Sequence, residues 1–359
     1  MRILVINCGS TTLKYKLFAV DGSGMQPLVA GVVEISGGYR AAVAGALEAL
    51  PQAPEAIAHR VVHGGDRLPE VVAVNTRVLN QLRELGPLAP LHNGPALEGI
   101  EATLGVGVPL VAAFDTAFHH TLPERAWRYA LPELPGVRRY GFHGWSHRSV
   151  TERYAVLSGN PQPTIVTLHL GSGCSVAAIQ RGQSIDTSMG YTPLEGLVMG
   201  TRAGDLDPGI LTHLMEQGMT PDSLRRLLHQ ESGLQGLAGS HDMRELLRRD
   251  DHAAVVAIEI FCYRILKYVG AYLTVLRGAE AIVFTGGIGE NSPEIRGRIC
   301  EGLRWLGLEI DDLRNARGEE RLSTQSSRMA AYAIRTDEEK VIAREAYCLL
   351  VSGPPLDRR

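Results

Sequence analysis

No stretch of this chain approaches the roughly 18 consecutive apolar residues that a membrane helix needs. The opening apolar run, residues 3–6, is far too short for the core of a secretory leader. Membrane insertion and export are therefore not expected, and a cytoplasmic enzyme or binding protein is. Cysteine is sparse, with five residues at 8, 174, 262, 300 and 348 and no C-x-x-C among them. That pattern argues against a disulfide framework or a zinc ribbon and suits a reducing compartment. Neither sign of charge is in excess: 36 basic and 39 acidic side chains leave −3. Neither nucleic acid nor a membrane surface is implied as a partner. Low-complexity tracts are missing. So is G-x-x-x-x-G-K-[ST], which excludes a P-loop NTPase, and so is G-x-S-x-G, which weakens any serine-hydrolase reading.

What is present is glycine, 40 residues of it, much in short clusters between apolar runs. That is the look of backbone that approaches ligands closely. The 359 residues, at roughly 150 per domain, suggest two domains. Strand-like runs recur at 3–6, 13–20, 28–35, 56–62, 108–114, 164–170, 175–180, 281–285 and 330–335. Helical patterns fall at 41–50, 76–85, 146–157, 208–216, 221–229, 253–277 and 338–351. Strands interleaved with helices predict an α/β fold.

One internal echo stands out. "ILVINCGSTTLKYKLF" (3–18) aligns with "IVTLHLGSGCSVAAIQ" (165–180), Gly9 falling on Gly171 and Ser10 on Ser172, 162 residues apart. The spacing is about half the chain, so two related halves are expected, each opening with a glycine-bearing hairpin; two unrelated Gly-Ser turns are the plainer alternative. In the first hairpin, period-2 alternation sets Leu13, Tyr15 and Leu17 on one face and Lys14 and Lys16 on the other. Backbone N–H groups with the Ser10 and Thr12 hydroxyls make an anion site, with Lys14 just beyond. A solvated hairpin with surface lysines would read the same way.

Other residues stand where ligand groups are placed. "AIAHRVVHGGDR" (56–67) sets Arg60 and His63 before two glycines, and Asp115 closes the apolar strand of "PLVAAFDTAFHH" (109–120). A carboxylate at a strand's C-terminal end suits ligand binding in α/β folds, and a helix N-cap is its competing role. His143 lies between Gly141 and Gly144, and Arg202 sits in a glycine-flanked loop. Eight of the 12 His lie between 59 and 169, and both HRVVH and HGWSH have i,i+4 spacing. Zinc needs that spacing on a helix and a third ligand, whereas the first pair spans a strand and the second follows glycine. "EAIVFTGGIGENS" (280–292) reads as a strand, a glycine turn and a helix start. It lacks a full G-x-G-x-x-G, so a Rossmann reading is poor, and a nucleotide over the glycine turn is the better reading.

Nine segments in order then resemble one family: N-x-G-S-T-T-x-K at 7–14, HRVVHGG at 59–65, APLHN at 89–93, FDTAFH at 114–119, YGFHG at 140–144, HLGSG at 169–173, TPLEGLVMGTRAGDLDP at 192–208, FTGGIGENS at 284–292 and TDEE at 336–339. Over nearly the whole chain they are similar to the acetate kinases, of the acetate and sugar kinase/Hsc70/actin superfamily. The resemblance implies two duplicated RNase H-like domains with the active-site cleft between them. Residues 1–118 with a returning 338–359 would be the acyl and phosphate domain, and 119–337 the nucleotide domain. It also implies a homodimer that moves the γ-phosphate of ATP to acetate and back, with Mg²⁺, or Mn²⁺ in its place.

By the same resemblance, Asn7 and Glu338 act around the metal, ordered by Asp115. Ser10, Thr12 and Lys14 face the transferring phosphate. Arg60 and Arg202 bind the acyl carboxylate and the phosphoryl group, and His143 donates to its equatorial oxygens. His169, Gly171, Ser172 and Gly173 form the second phosphate loop; Asp242, Arg244, Gly287, Ile288, Gly289 and Asn291 hold ATP at its adenosine end; Val62, Leu91 and Pro193 line the methyl pocket. Four positions depart from the family pattern: Ser172 for Asn, Cys174 for Ser, Thr12 for Ser and Gly94 for Pro. The stretch between Val20 and Ala56 is shorter than usual. A short-chain acyl kinase with another preference is the near alternative. An actin- or chaperone-like ATPase is the distant one, and it needs no paired Arg60 and Arg202.

Overall fold

The computed structural model describes the chain except Ser10, Ser23, Arg67, residues 87–89 and residues 354–359, and gives backbone alone for residues 90–92. Two compact units result, Met1–His120 with Asp337–Arg359, and Thr121–Thr336.

The first unit runs β1 (Arg2–Cys8), β2 (Thr12–Asp21), β3 (Gly24–Glu34), α1 (Tyr39–Glu48), β4 (Ala56–Val61), β5 (Val71–Ala73), α2 (Thr76–Glu84), α3 (Pro90–Thr103) and β6 (Leu110–Phe114). The second runs α4 (Glu124–Trp127), α5 (Gly144–Ser158), β7 (Ile165–Leu170), β8 (Cys174–Gln180), β9 (Gln183–Thr187), α6 (Pro208–Glu216), α7 (Pro221–Gln230), α8 (Gly233–Ala238), α9 (Met243–Leu246), α10 (His252–Leu276), β10 (Ala281–Thr285), α11 (Gly286–Asn291), α12 (Pro293–Glu301), α13 (Asp312–Arg317) and β11 (Ala330–Ala333). The last helix, α14 (Glu338–Ser352), returns to the first unit.

The two sheets share one topology. The first has the order β3-β2-β1-β4-β6-β5 and the second β9-β8-β7-β10-β11. In each, the first three strands pair antiparallel, and the first strand continues parallel to the fourth and then the fifth main strand. Even the irregularities correspond, with register shifts at Leu17/Phe18 and at Ala178/Ile179. The halves inferred from the Gly-Ser echo are thus two copies of one α/β sheet, and β5 is an antiparallel addition to the first.

Burial explains the strand sequences. β6 (LVAAF) and β10 (AIVFT) are buried throughout, as central parallel strands with both faces covered must be. β2 keeps the predicted alternation, with Leu13, Tyr15 and Leu17 buried and Lys14 exposed. Helix starts are capped by side chains: Asp251 accepts from Ala254 N at α10 and Asp337 from Lys340 N at α14, each satisfying an otherwise orphaned donor. α10 fills the predicted 253–277 segment and packs on β8. Among the described residues, no helix is long and apolar enough to cross a membrane.

Candidate active site

In the first unit three neighbouring parallel strands present polar side chains at their C-terminal ends: Asn7 on β1, Arg60 on β4 and Asp115 just beyond β6. This edge is where open α/β sheets receive ligands. Arg60 organises it. Its Nη2 donates to Asp115 Oδ2 at 2.9 Å and its Nη1 to Asn7 Oδ1 at 3.4 Å. Its Nε lies 3.3 Å from Glu338 Oε2, close enough for an ion pair and not aligned as a hydrogen bond. Asp115 is 1% exposed, and its backbone N–H donates to Val61 O at 2.9 Å, so it serves as a partner of arginine.

Glu338 occupies the first turn of α14, directly after the Asp337 cap, and Asp337 also takes Lys16 Nζ at 2.9 Å. Burial pushes the Glu338 carboxyl up to about 7; Arg60 and Lys14 pull it down, and Asp115 and Glu339 push it further up. Burial disfavours the Arg60 cation, but the Asp115, Glu338 and Glu339 carboxylates outweigh it and raise its pKa. Lys14, opposite Asn7 in the β1–β2 register, thus stands within electrostatic reach of Glu338. Thr12 opens β2 after the turn closed by Gly9 N donating to Thr12 O at 2.8 Å. Val62 is half-buried just past β4. Ser10 and the side chain of Leu91 lie outside the described residues.

In the second unit His169 lies near the end of β7, and Gly171 N closes the β7–β8 turn on Gly173 O at 3.1 Å, a turn one residue shorter than that of the first hairpin, where Gly9 N closes on Thr12 O. Gly173 is required sterically: a Cβ there would stand 2.8 Å from Arg202 Nη2 and 3.2 Å from His143 Nε2. Arg202 Nη1 donates to Pro193 O at 2.8 Å, and burial lowers the Arg202 pKa, opposed by Cys174. Its loop closes through Met199 N to Arg202 O. Ser172 turns its side chain to solvent while its carbonyl accepts from Gly200 N at 3.1 Å. Cys174 does what a serine would do there: its Sγ donates to Gly171 O at 3.3 Å, with burial pushing the thiol up to about 12.

The glycine turn at 286–291 is itself a short helix, α11. Gly287 is exposed and its carbonyl takes Asn291 Nδ2 at 2.9 Å, with Ile288 half-buried and Gly289 buried between them. The Gly287 N–H would lie 3.7 Å from a Cβ at Gly171, so the hairpin and this helix start come together. Asp242 caps α9 and pairs with Arg244, Nη2 to Oδ2 at 2.7 Å, which holds the carboxyl at about 2.

Several supporting residues were not singled out in the sequence. His143 Nδ1 meets Ser175 Oγ at 2.9 Å, Ser175 Oγ meets His147 Nε2 at 2.8 Å, and His147 Nδ1 meets Thr167 Oγ1 at 2.7 Å. His169 Nδ1 pairs with Ser146 Oγ at 2.7 Å, and its ring stacks on His143 with centroids 4.2 Å apart. Arg139 and Tyr129 both grip Glu195, two residues after Pro193. The one advance signal was the i,i+4 spacing of HGWSH, which points at a shared hydroxyl and not at a metal.

Residues 43–344 match the acetokinase family. The chain belongs to the acetokinase family. An acetate kinase from Chloroherpeton thalassium is 53% identical over 311 residues, 81% of this chain and 75% of that one. Among solved structures, a propionate kinase from Francisella tularensis superposes with a TM-score of 0.90 at 37% identity, over 96% of this chain and 98% of its own. Porphyromonas gingivalis acetate kinase gives 0.88 at 37% identity, over 97% and 99%. This acetokinase-family chain is accordingly a phosphotransferase with a carboxyl group as acceptor, of the acetate and sugar kinase superfamily's α/β fold.

Proposed function

We propose that this acetokinase-family enzyme moves the γ-phosphate of ATP to acetate, reversibly and with Mg²⁺, giving acetyl phosphate and ADP by direct in-line displacement. The observation that carries the site assignment is Arg60, a single guanidinium to which Asn7, Asp115 and Glu338 all converge. Acetate is an anion at neutral pH, so its oxygen needs no general base. The obstacle is bringing it to a polyphosphate, and phosphoryl transfer is helped chiefly by positioning and charge. Arg60 holds the acyl carboxylate, and Arg202 and His143 hold the phosphoryl oxygens, with His169, the 171–173 turn, Thr12 and Lys14 around the phosphates. Asp115 orients Arg60. Gly287, Ile288, Gly289, Asn291, Asp242 and Arg244 take the adenosine end, and Val62, Leu91 and Pro193 the methyl group.

The residues fit a magnesium ion. Hard oxygen donors, Asn7 and Glu338, stand beside buried Asp115, all three gathered on Arg60. Mg²⁺ takes one or two carboxylate oxygens and completes its shell with water and phosphate. When bound it neutralises charge on the phosphates; Mn²⁺ would serve similarly. The proposal includes a cytoplasmic homodimer. α6, none of whose residues is buried, carries exposed Ile210 and Met215 that suit a second copy.

The propionate kinase match supports propionate as a second substrate, since one methylene in an apolar pocket is worth only about 1–3 kcal/mol. In-line transfer without a phosphoenzyme inverts a chiral γ-phosphate; net retention would refute it.

A further inference from the structure

We infer that Ser175 and His147 are positioning residues for His143, a hydroxyl–imidazole chain that fixes its ring with Nε2 as the hydrogen-bond donor. The chain is continuous and buried. It runs Thr167 Oγ1, His147 Nδ1, His147 Nε2, Ser175 Oγ, His143 Nδ1, with contacts of 2.7, 2.8 and 2.9 Å. Thr167, His147 and Ser175 are all 0% exposed. Each neutral imidazole has one N–H and one lone pair, and each hydroxyl donates once. The same contacts admit donation in either sense, and we assign the one that leaves an N–H on the outer nitrogen of His143: Thr167 to His147 Nδ1, His147 Nε2–H to Ser175, Ser175 to His143 Nδ1. The proton of His143 is then on Nε2, the atom 3.2 Å from where a Gly173 Cβ would stand, beside Arg202 Nη2. A lone pair there would repel an anionic oxygen, and an N–H stabilises it.

The backbone supports a positional demand. His143 adopts φ 58°, ψ 30° at the head of α5, an uncommon left-handed conformation for a residue other than glycine. Such strain persists where surrounding structure over-determines it. Here the Ser175 contact and the stacked His169 ring do so. The spacing of His143 and His147, one helical turn apart, lets both rings share one serine from β8.

The inference rests on the acyl-kinase reading for what His143 contacts, and the test separates the two. Long-range ¹H–¹⁵N spectra of histidine-labelled protein report which ring nitrogen carries the proton, His143 being assigned by the signals lost in His143→Gln. Nε2-protonated His143 and His147 are expected in the wild type. Ser175→Ala should mix the His143 tautomers and lower kcat by about 10- to 100-fold, as loss of an orienting partner does, with KM for acetate nearly unchanged. Ser175→Thr, which keeps the hydroxyl, should recover most of the rate. A wild-type His143 protonated on Nδ1 overturns the inference even if Ser175→Ala does not fold. So does a folded Ser175→Ala with unchanged tautomer and kcat. A wild type that makes no acetyl phosphate refutes the acyl-kinase reading alone, because the spectra still decide the direction of the chain.

Discussion

Arg60 shows why residue identity matters more than charge at this site. A planar guanidinium reaches Asn7, Asp115 and Glu338 together; a lysine ammonium is a point charge on a flexible stem. Arg60→Ala and Arg60→Lys should both lower kcat/KM by about 10³-fold or more. The alanine variant should also lose stability in denaturant titration, because buried Asp115 loses the Arg60 ion pair. Retention of more than a tenth of the rate by the lysine variant would contradict this role.

Glu338 carries a pH prediction. Its folded carboxyl titrates near 7, against about 4.5 when unfolded, burial being the largest cause. Between those values the folded unit holds a proton that the unfolded chain has released. That stabilisation is complete below about 4.5 and is lost as pH rises through 7. Without metal, the wild type should therefore lose up to about 3 kcal/mol more than Glu338→Gln between pH 4.5 and 8. Parallel stability curves would exclude a raised Glu338.

At the scale of elements, the two hairpin turns hold corresponding places in their sheets, the second one residue shorter, and the two glycines of the second turn differ in their surroundings. A Cβ at Gly171 meets nothing closer than 3.5 Å, whereas one at Gly173 crowds Arg202 and His143. Gly173→Ala should fold and lose about 10²-fold in kcat by displacing Arg202, in keeping with the cost of small misplacements at reacting centres. Gly171→Ala should be as stable as the wild type by thermal melting.

The elements also show what the sequence made legible. The strands at 3–6, 56–62 and 281–285 were plain because central strands are continuous apolar runs, and α10 because it is long. α3 was not, since Gly94, Pro95 and Gly99 break a helical pattern. Gly99 is nevertheless demanded, because a Cβ there would lie 2.4 Å from Cys8 Sγ. β5 and β9, three and five residues long, carry too little periodicity to be read. Arg60 and Asp115 were readable because they stand at or near the ends of apolar strands, whereas Asn7 came only with the family resemblance. Ser175 and Thr167 were not readable, because their hydroxyls gain meaning only when β7 and β8 pack against α5.

For the whole molecule, the repeated strand order is the strongest physical record of duplication, and it makes the 162-residue echo more than a shared Gly-Ser turn. The second copy has no Arg60–Asp115 equivalent among its described strand ends; its own β7–β8 hairpin carries His169 and the turn beside Arg202. Sedimentation should give twice the 38.9 kDa chain mass, and Ile210→Glu with Met215→Glu should give the single mass. A wild-type monomer would count against the dimer.

The central claim is that the chemistry ends on a carboxylate. Protein incubated with ATP, Mg²⁺, hydroxylamine and, in turn, acetate, propionate or butyrate should yield acyl hydroxamate with acetate most rapidly, propionate next and butyrate least. ADP released without any hydroxamate would contradict the account and mark the protein as an ATPase.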